Sequence, residues 1–226
     1  MHALILAAGR GERLRPLTDS TPKPLLRAGK FRLIEYHLYA LAAAGIINIV
    51  INHAHLGKQI VSTLGNGAAY GVRIAYSAEP EGALETAGGI VNALPLLNSE
   101  PFIVINGDIW SDYPFDRLPS EVSGLAHIVL VDNPAHNPDG DFTLHGDRVN
   151  ERKTEIPGTA LTFSGIGIYR PALFEDLEPG RIPLAPVLRK AMQNNQVTGG
   201  HYQGRWVDVG TPQRLAELDD ELSTLD

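Results

Sequence analysis

The chain has 226 residues, long enough to bury a substantial core. Its composition, 43% apolar and 20% charged, is that of a soluble globular protein, and no apolar run approaches the ~18 residues that a membrane span needs. The net charge of −7 argues against a general nucleic-acid binder, and the lack of cysteine excludes disulfides and thiolate metal sites.

Met1 to Leu6 is apolar from the start, with no basic stretch before it and no small-residue cleavage site, so it reads as a first strand, Ala3 to Leu6, of a cytoplasmic protein. A loop rich in glycine and arginine follows, then the proline-punctuated Pro22-Lys23-Pro24. Ile34, His37, Leu38 and Leu41 recur at helical spacing, and Gly45 is placed to end that helix. The pattern continues with a strand from Ile46 to Ile51, a helix from His55 to Leu64 and a strand from Val72 to Tyr76. A helix from Thr86 to Leu94 and a strand from Phe102 to Ile105 come next, the strand running into Asn106-Gly107-Asp108. Ala126 to Val131 and Leu161 to Tyr169 read as strands. Between them Asn133 to Pro157, polar and rich in Pro, Gly and Asp, predicts a mobile excursion carrying a short hairpin. A helix from Leu184 to Gln193 and a strand from Trp206 to Val209 precede Thr211-Pro212, an N-cap and a first-turn proline that open a last helix to about Leu222. Strands alternating with helices predict one α/β domain over residues 1–226, three-layered around a mixed, mainly parallel sheet.

Residues 1 to 30 carry Arg10, Arg13, Arg15, Lys23, Arg27 and Lys30 against Glu12 and Asp19, a local excess of about four positive charges inside an acidic protein. That excess is either a solvated patch or a pocket for a small polyanion. Glycine lets backbone N–H groups approach an anion, and arginines add forked hydrogen bonds to phosphate oxygens, so the run Gly9-Arg10-Gly11-Glu12-Arg13 after the first strand can wrap a triphosphate. It is not a P-loop, which needs Gly-Lys followed by Ser or Thr, and Leu14 stands where the dinucleotide fingerprint needs a small residue. Lys23, with its backbone fixed by a proline on each side, is suited to meeting one phosphate. Asp108 ends a strand at the edge where open α/β sheets gather ligands, and it reads as a turn residue or as a ligand. Asp208, between Val207 and Val209, needs a partner, which an arginine or a metal could supply. His53 and His55 read as loop residues.

The loop through Thr21-Pro22-Lys23-Pro24-Leu25, with Asn106-Gly107-Asp108 and Trp206-Val207-Asp208-Val209-Gly210-Thr211 in the same order, resembles the signature of the sugar-nucleotide pyrophosphorylases, nucleotidyltransferases of Rossmann-like, glycosyltransferase-A-like fold. The resemblance implies a magnesium-dependent enzyme joining a nucleoside triphosphate to a sugar 1-phosphate. It places Gly9, Gly11, Glu12 and Arg13 on the triphosphate with Gly107 nearby, makes Arg13 and Lys23 catalytic, and assigns Mg2+ to Asp108 and Asp208. Glu79, Ala83 and Gly88 lie where such enzymes read the base; thymidylyl members usually place glutamine near Glu79, so this chain departs from them. Asp141, Ser164 and Gly165 fall on elements that contact the sugar, whereas Glu151-Arg152-Lys153 matches only approximately the Glu-Lys that members often carry. Trp110 and Trp206 either wall the sugar pocket or pack. Ile34-Glu35-Tyr36-His37-Leu38, Leu130-Val131-Asp132-Asn133-Pro134 and Leu161-Thr162-Phe163-Ser164-Gly165-Ile166 are similar to short bacterial uridylyltransferases of cell-wall recycling, with UTP and N-acetylmuramate 1-phosphate as substrates. The end of the chain soon after its last helix fits such a stand-alone transferase. Mannose 1-phosphate guanylyltransferases and non-catalytic sugar-nucleotide-binding regulatory subunits are the alternatives.

Overall fold

In β1 (His2–Leu6) successive side chains point to opposite faces, and both faces are covered: Ala3 and Ile5 pack on one side and Leu4 on the other, all fully buried. A strand apolar on both faces needs helices above and below it, and that need organises the chain. The computed structural model describes residues 1–80, 84–98, 100–152 and 157–224. After β1 come α1 (Leu17–Ser20), β2 (Arg27–Ala28), β3 (Phe31–Arg32), α2 (Leu33–Ala43), β4 (Asn48–His53), α3 (Gly57–Leu64), β5 (Arg73–Ala78), α4 (Glu85–Ala93), β6 (Phe102–Asn106) and β7 (Ile109–Ser111). The second half holds β8 (Ala126–Val131), β9 (Phe142–His145), β10 (Arg148–Glu151), β11 (Thr159–Tyr169), α5 (Leu184–Gln193), β12 (Val197–Tyr202), β13 (Trp206–Asp208) and α6 (Pro212–Ser223).

The main sheet runs β5-β4-β1-β6-β11-β8-β12-β10-β9, with β11 also pairing β9. It is parallel from β5 to β6; β11 then runs antiparallel to both β6 and β8, and of the remaining neighbours only β8 and β12 are parallel. α2 and α3 cover one face through Ile34, Leu38, Leu41, Ile60 and Leu64. α4 and α5 cover the other through Ala87, Ile90, Leu188 and Met192, which completes the expected three layers. Outside them, Leu14, Leu33, Trp110, Val209, Leu215 and Leu218 form a third cluster that seats α6 against the antiparallel β7–β13 ribbon. Each fully buried leucine stabilises the fold by about 2 kcal/mol.

Local signals fall where the sequence puts them. Gly45, at φ 75°, ends α2, with Ile46 N–H donating to the Leu41 carbonyl at 2.9 Å and Gly45 N–H to that of Ala42 at 3.0 Å. Thr211 Oγ1 accepts from Arg214 N–H at 3.3 Å, ahead of Pro212. The excursion after β8 contains the hairpin of β9 and β10. Expected boundaries shift by one or two residues at β4, β5, β11 and the start of α3. Four strands lie outside the expectations, β2, β3, β7 and β12; β2 and β3 have only two residues each. β7 has three residues, too few to show a period. β12 contains Gly199 and Gly200, which weaken the strand signal, yet a Cβ at 199 would stand 2.6 Å from Val149 Cγ2 and 2.9 Å from the Ile128 carbonyl.

His37 lies on the buried side of α2, its Nε2 3.0 Å from the Ile109 carbonyl. Burial lowers its pKa from 6.5 to about 4, against smaller upward pulls from that carbonyl and the Asp108 charge. As pH falls below 6.5 the unfolded chain takes up a proton that the folded chain refuses until about 4, so stability is lost across that window. At 1.36 kcal/mol per unit the loss reaches about 3 kcal/mol. Urea unfolding is expected to show this fall between about pH 7 and pH 4.5 in the wild type and a flatter profile in His37→Gln. Equal slopes in the two proteins would show that another group is responsible.

Candidate active site

The carboxyl ends of β1, β4 and β6 open into a cleft of about 640 Å3. The chain leaves β1 along its floor. Gly11 takes a left-handed conformation (φ 63°), its carbonyl accepts from Leu14 N–H at 2.8 Å, and Glu12 to Leu14 make a single 3-10 turn. Leu14 is driven fully into the third cluster, which leaves Arg13 and the glycines at the cleft. Positions 9 and 11 use glycine differently. A Cβ on Gly11 would meet Thr18 Cγ2 at 2.8 Å, so the fold itself requires that glycine. Among the described residues nothing lies within 4 Å of a Cβ on Gly9, so the space there is open to the cleft. Arg10 and Arg13 line the cleft and have no carboxylate partner among the described residues.

Lys23 sits in a short turn, Lys23–Leu25, with its side chain 8% exposed, and its ammonium donates to Asp108 Oδ2 at 2.8 Å. Asp108 is 41% exposed and follows β6 at the cleft. Gly107 N–H donates to the Leu6 carbonyl at 2.9 Å, and a Cβ there would stand 2.6 Å from that oxygen, so glycine is what lets the Asp108 turn lie against the end of β1.

At the opposite end Asn52, which closes β4, accepts from Ala7 N–H at 2.6 Å and donates to Glu79 Oε1 at 2.6 Å. Glu79 Oε2 accepts from Leu84 N–H at 3.0 Å. The carboxylate of Glu79 is therefore spent on holding the wall, which limits the expected base contact to its backbone and the rim. Gly89 makes this possible: a Cβ there would stand 2.6 Å from Glu79 Oε1 and 2.8 Å from Asn52 Nδ2. Gly89→Ala is expected to raise the KM for the nucleotide about tenfold with a smaller effect on kcat. An unchanged KM would separate this wall from nucleotide binding.

Asp208 ends β13, which pairs with β7 so that Asp208 faces Ile109 and Val209 N–H donates to the Asp108 carbonyl at 3.0 Å. The two aspartates thus come to neighbouring backbone positions, Asp108 in the turn before β7 and Asp208 at the end of β13, although 100 residues apart in number. Of the partners open to Asp208 in the sequence, an arginine is present: Arg214 Nη1 donates to Oδ2 at 2.8 Å, with His136 Nε2 3.3 Å away. Gly210 follows, where a Cβ would stand 2.5 Å from Arg214 Nη2 and 3.2 Å from Arg13 Nη1, so the two guanidinium groups flank it.

Of the other expected contacts, Gly88, Ser164 and Asp141 do not line this cleft. Gly88 packs instead against the loop before α5, donating to the Ile182 carbonyl at 3.1 Å and leaving room for the Gly180 carbonyl, 2.1 Å from where a Cβ would be. Ser164 is 1% exposed and its hydroxyl donates to the Val129 carbonyl, so it serves the irregularity in β11. Asp141 accepts from Phe163 N–H at 2.9 Å and from Asn137 Nδ2 at 3.1 Å, which makes it an anchor of the loop before β9. Gly165, at φ 81°, lies against Asn106 of the cleft wall. Ala83 lies outside the described residues. Trp110 packs in the third cluster beneath Arg205, and Trp206 Nε1 donates to the Ser164 carbonyl, so both tryptophans pack. Asn52, His136 and Arg214 carry no sequence signature; only an asparagine closing an apolar strand, and an arginine three residues after a helix cap, hint at them.

The family model described as nucleotidyl transferase matches residues 2–140. The N-acetylmuramate alpha-1-phosphate uridylyltransferase of Neisseria meningitidis serogroup B is 56% identical over 225 residues, 96% of each chain. The mannose-1-phosphate guanyltransferase of Candida albicans is 34% identical over 94% of this chain, which spans 62% of that protein. A solved structure of a candidate glucose-1-phosphate thymidylyltransferase from Bacillus anthracis, in complex with sucrose, superposes with a TM-score of 0.86 at 24% identity, covering 100% of this chain and 96% of that one; this likeness shows the fold.

Proposed function

The chain belongs to the nucleotidyl transferase family, and from that membership we propose that it transfers UMP from UTP to N-acetylmuramate α-1-phosphate, giving UDP-N-acetylmuramate and pyrophosphate. Identity of 56% across 96% of both chains supports that substrate pair over mannose 1-phosphate and GTP, whose enzyme is similar at 34%. The observation that carries the chemistry is the buried ammonium of Lys23 beside Asp108, at the cleft where Arg10 and Arg13 stand unpaired among the described residues.

Two polyanions must meet in this reaction, so the protein's work is to gather them and offset their charge. Arg13, with Arg10 and the backbone around Gly9, Gly11 and Glu12, takes the triphosphate. Lys23 faces the α-phosphate and the acceptor phosphate, held in place by its two prolines and Asp108. An oxygen of the acceptor's phosphate attacks the α-phosphorus, the bond from that phosphorus to its bridging oxygen breaks, and pyrophosphate leaves with the electron pair. A phosphate monoester is already anionic at neutral pH, so no side chain has to remove a proton from it.

The residues present fit magnesium. Asp108, in the turn before β7, and Asp208, at the end of the strand paired with β7, are carboxylates at neighbouring backbone positions, the donor type that this ion takes together with phosphate oxygens and water. No group of three or more possible metal-binding side chains occurs among the described residues, which suits a site completed by substrate. Bound there, the ion would supply positive charge to the phosphates during transfer. The rim around Glu79 is assigned to the base and the wall where Gly165 meets Asn106 to the acceptor end, all within one unit spanning residues 1–226. Use of UTP supports a cytoplasmic location, and no described helix is long and apolar enough to cross a membrane.

Pyrophosphate release across the four ribonucleoside triphosphates and a panel of sugar 1-phosphates tests this reading. UTP with N-acetylmuramate 1-phosphate is expected to give the highest kcat/KM; GTP with mannose 1-phosphate outperforming it would reverse the substrate assignment.

A further inference from the structure

Both aspartates assigned to the cation are already neutralised, and not in the same way. Lys23 is buried beside Asp108 and lies on the cleft wall. Arg214 comes from the first turn of α6, is 19% exposed, and reaches Asp208 across Gly210. Beside them stands His136, whose ring nitrogens are 3.0 and 3.3 Å from the same Nη1 and whose Nε2 is 3.3 Å from the same Asp208 Oδ2. His136 is presented by a loop built for rigidity: Asn133 Nδ2 donates to the Ala160 carbonyl at 3.0 Å, Asn137 Nδ2 to Thr162 Oγ1 at 3.1 Å, and Thr162 Oγ1 to Asn133 Oδ1 at 2.9 Å. That loop and Asp208 confine the guanidinium from two sides. The open direction is past Gly210, toward Arg13 and the cleft, because no Cβ blocks it.

We propose that Arg214 is a reserve phosphate-binding residue, neutralising Asp208 in the empty protein and turning past Gly210 to the acceptor's phosphate when a divalent cation takes that carboxylate. The argument is one of charge. A cation at Asp208 and the guanidinium at the same oxygen repel each other, so occupancy by one releases the other. The released guanidinium, no longer spent on a carboxylate, then stands beside Arg13 and binds the acceptor's phosphate dianion next to the triphosphate that Arg13 holds. Binding of cation and acceptor is thereby linked, each raising the affinity for the other by the same factor. Arg214 also explains why Gly210 carries no side chain, since even a methyl group would stand 2.5 Å from its Nη2.

This inference rests on the metal and acceptor assignments above, and the test separates their failure from its own. Mn2+ binding, followed by electron paramagnetic resonance without substrates, is measured in the wild type, Asp208→Asn, Arg214→Met and Arg10→Met. Arg214→Met is expected to bind Mn2+ about tenfold more tightly than the wild type, because the competing cation is gone. Arg10→Met removes an equal charge from the cleft lining without freeing Asp208, and is expected to change Mn2+ binding less than about twofold. Calorimetry with N-acetylmuramate 1-phosphate is then run with and without saturating Mn2+. Arg214→Met is expected to weaken acceptor binding about tenfold with Mn2+ and less than twofold without it. An equal loss in both conditions would mean a permanent phosphate ligand, and no loss in either a plain counter-ion; each overturns the proposal. If Asp208→Asn binds Mn2+ as well as the wild type, the metal assignment falls and the exchange with it.

Discussion

Lys23→Ala is expected to lower kcat at least ~100-fold while the protein still unfolds cooperatively near the wild-type temperature. Among the described residues the side chain makes one polar contact, to Asp108 at 2.8 Å, from a position 8% exposed. Removing it leaves a carboxylate that is 41% exposed, which water can solvate, so breaking the pair costs about 1–2 kcal/mol of stability and not the larger sum of a fully buried pair. In the transition state nothing replaces it. A fixed ammonium in a partly closed cleft needs no reorganisation as charge develops on the α-phosphate, whereas the water that fills its place must reorient. The effect should therefore appear in kcat more than in KM, because the triphosphate keeps its arginines and the glycine loop. Steady-state rates beside a thermal melt separate the two losses. A variant within tenfold of wild-type turnover would remove Lys23 from the chemistry.

Asp108→Asn is expected to cost about as much, ~100-fold or more in kcat/KM, by a different route. The amide keeps the shape and can still accept from Lys23, so the fold is preserved, but the charge that attracts a divalent cation is halved between the paired strands. Raising Mg2+ should recover part of the rate in Asp108→Asn and none of it in Lys23→Ala. Because the two side chains touch, the double variant should lose less than the product of the single losses. Strict multiplicativity would mean that lysine and aspartate act independently. Full activity of Asp108→Asn at ordinary Mg2+ would move the cation elsewhere.

The parts of the site legible in the sequence are those made by one continuous stretch. The glycine-arginine loop, Lys23 between its prolines and Asp108 at the end of β6 all line the cleft, since each is set by a local rule: glycine conformation, proline φ, or the edge of a parallel strand. The expected contacts that do not line the cleft share a different feature. Gly88, Ser164 and Asp141 sit in matching motifs, but their polar groups are satisfied by the protein itself, through the Ile182 carbonyl, the Val129 carbonyl and Phe163 N–H respectively. A motif states which residue is present; it does not state which backbone group will claim it.

The sequence by itself determined the alternating elements, the caps at Gly45 and Thr211, the phosphate-binding loop and the identity of the charged groups available. These depend on interactions within a few residues, and short-range geometry is written directly into residue type. Only the tertiary structure decided how charges distant in the chain pair off: Lys23 with Asp108, Asp208 with Arg214 and His136, and Asn52 with Glu79. A carboxylate will take any cation within reach, and reach is fixed by which strands lie side by side. The β7–β13 ribbon, seated by α6, is what brings the backbone of Asp208 next to that of Asp108 and sets Arg214 against the Asp208 carboxylate.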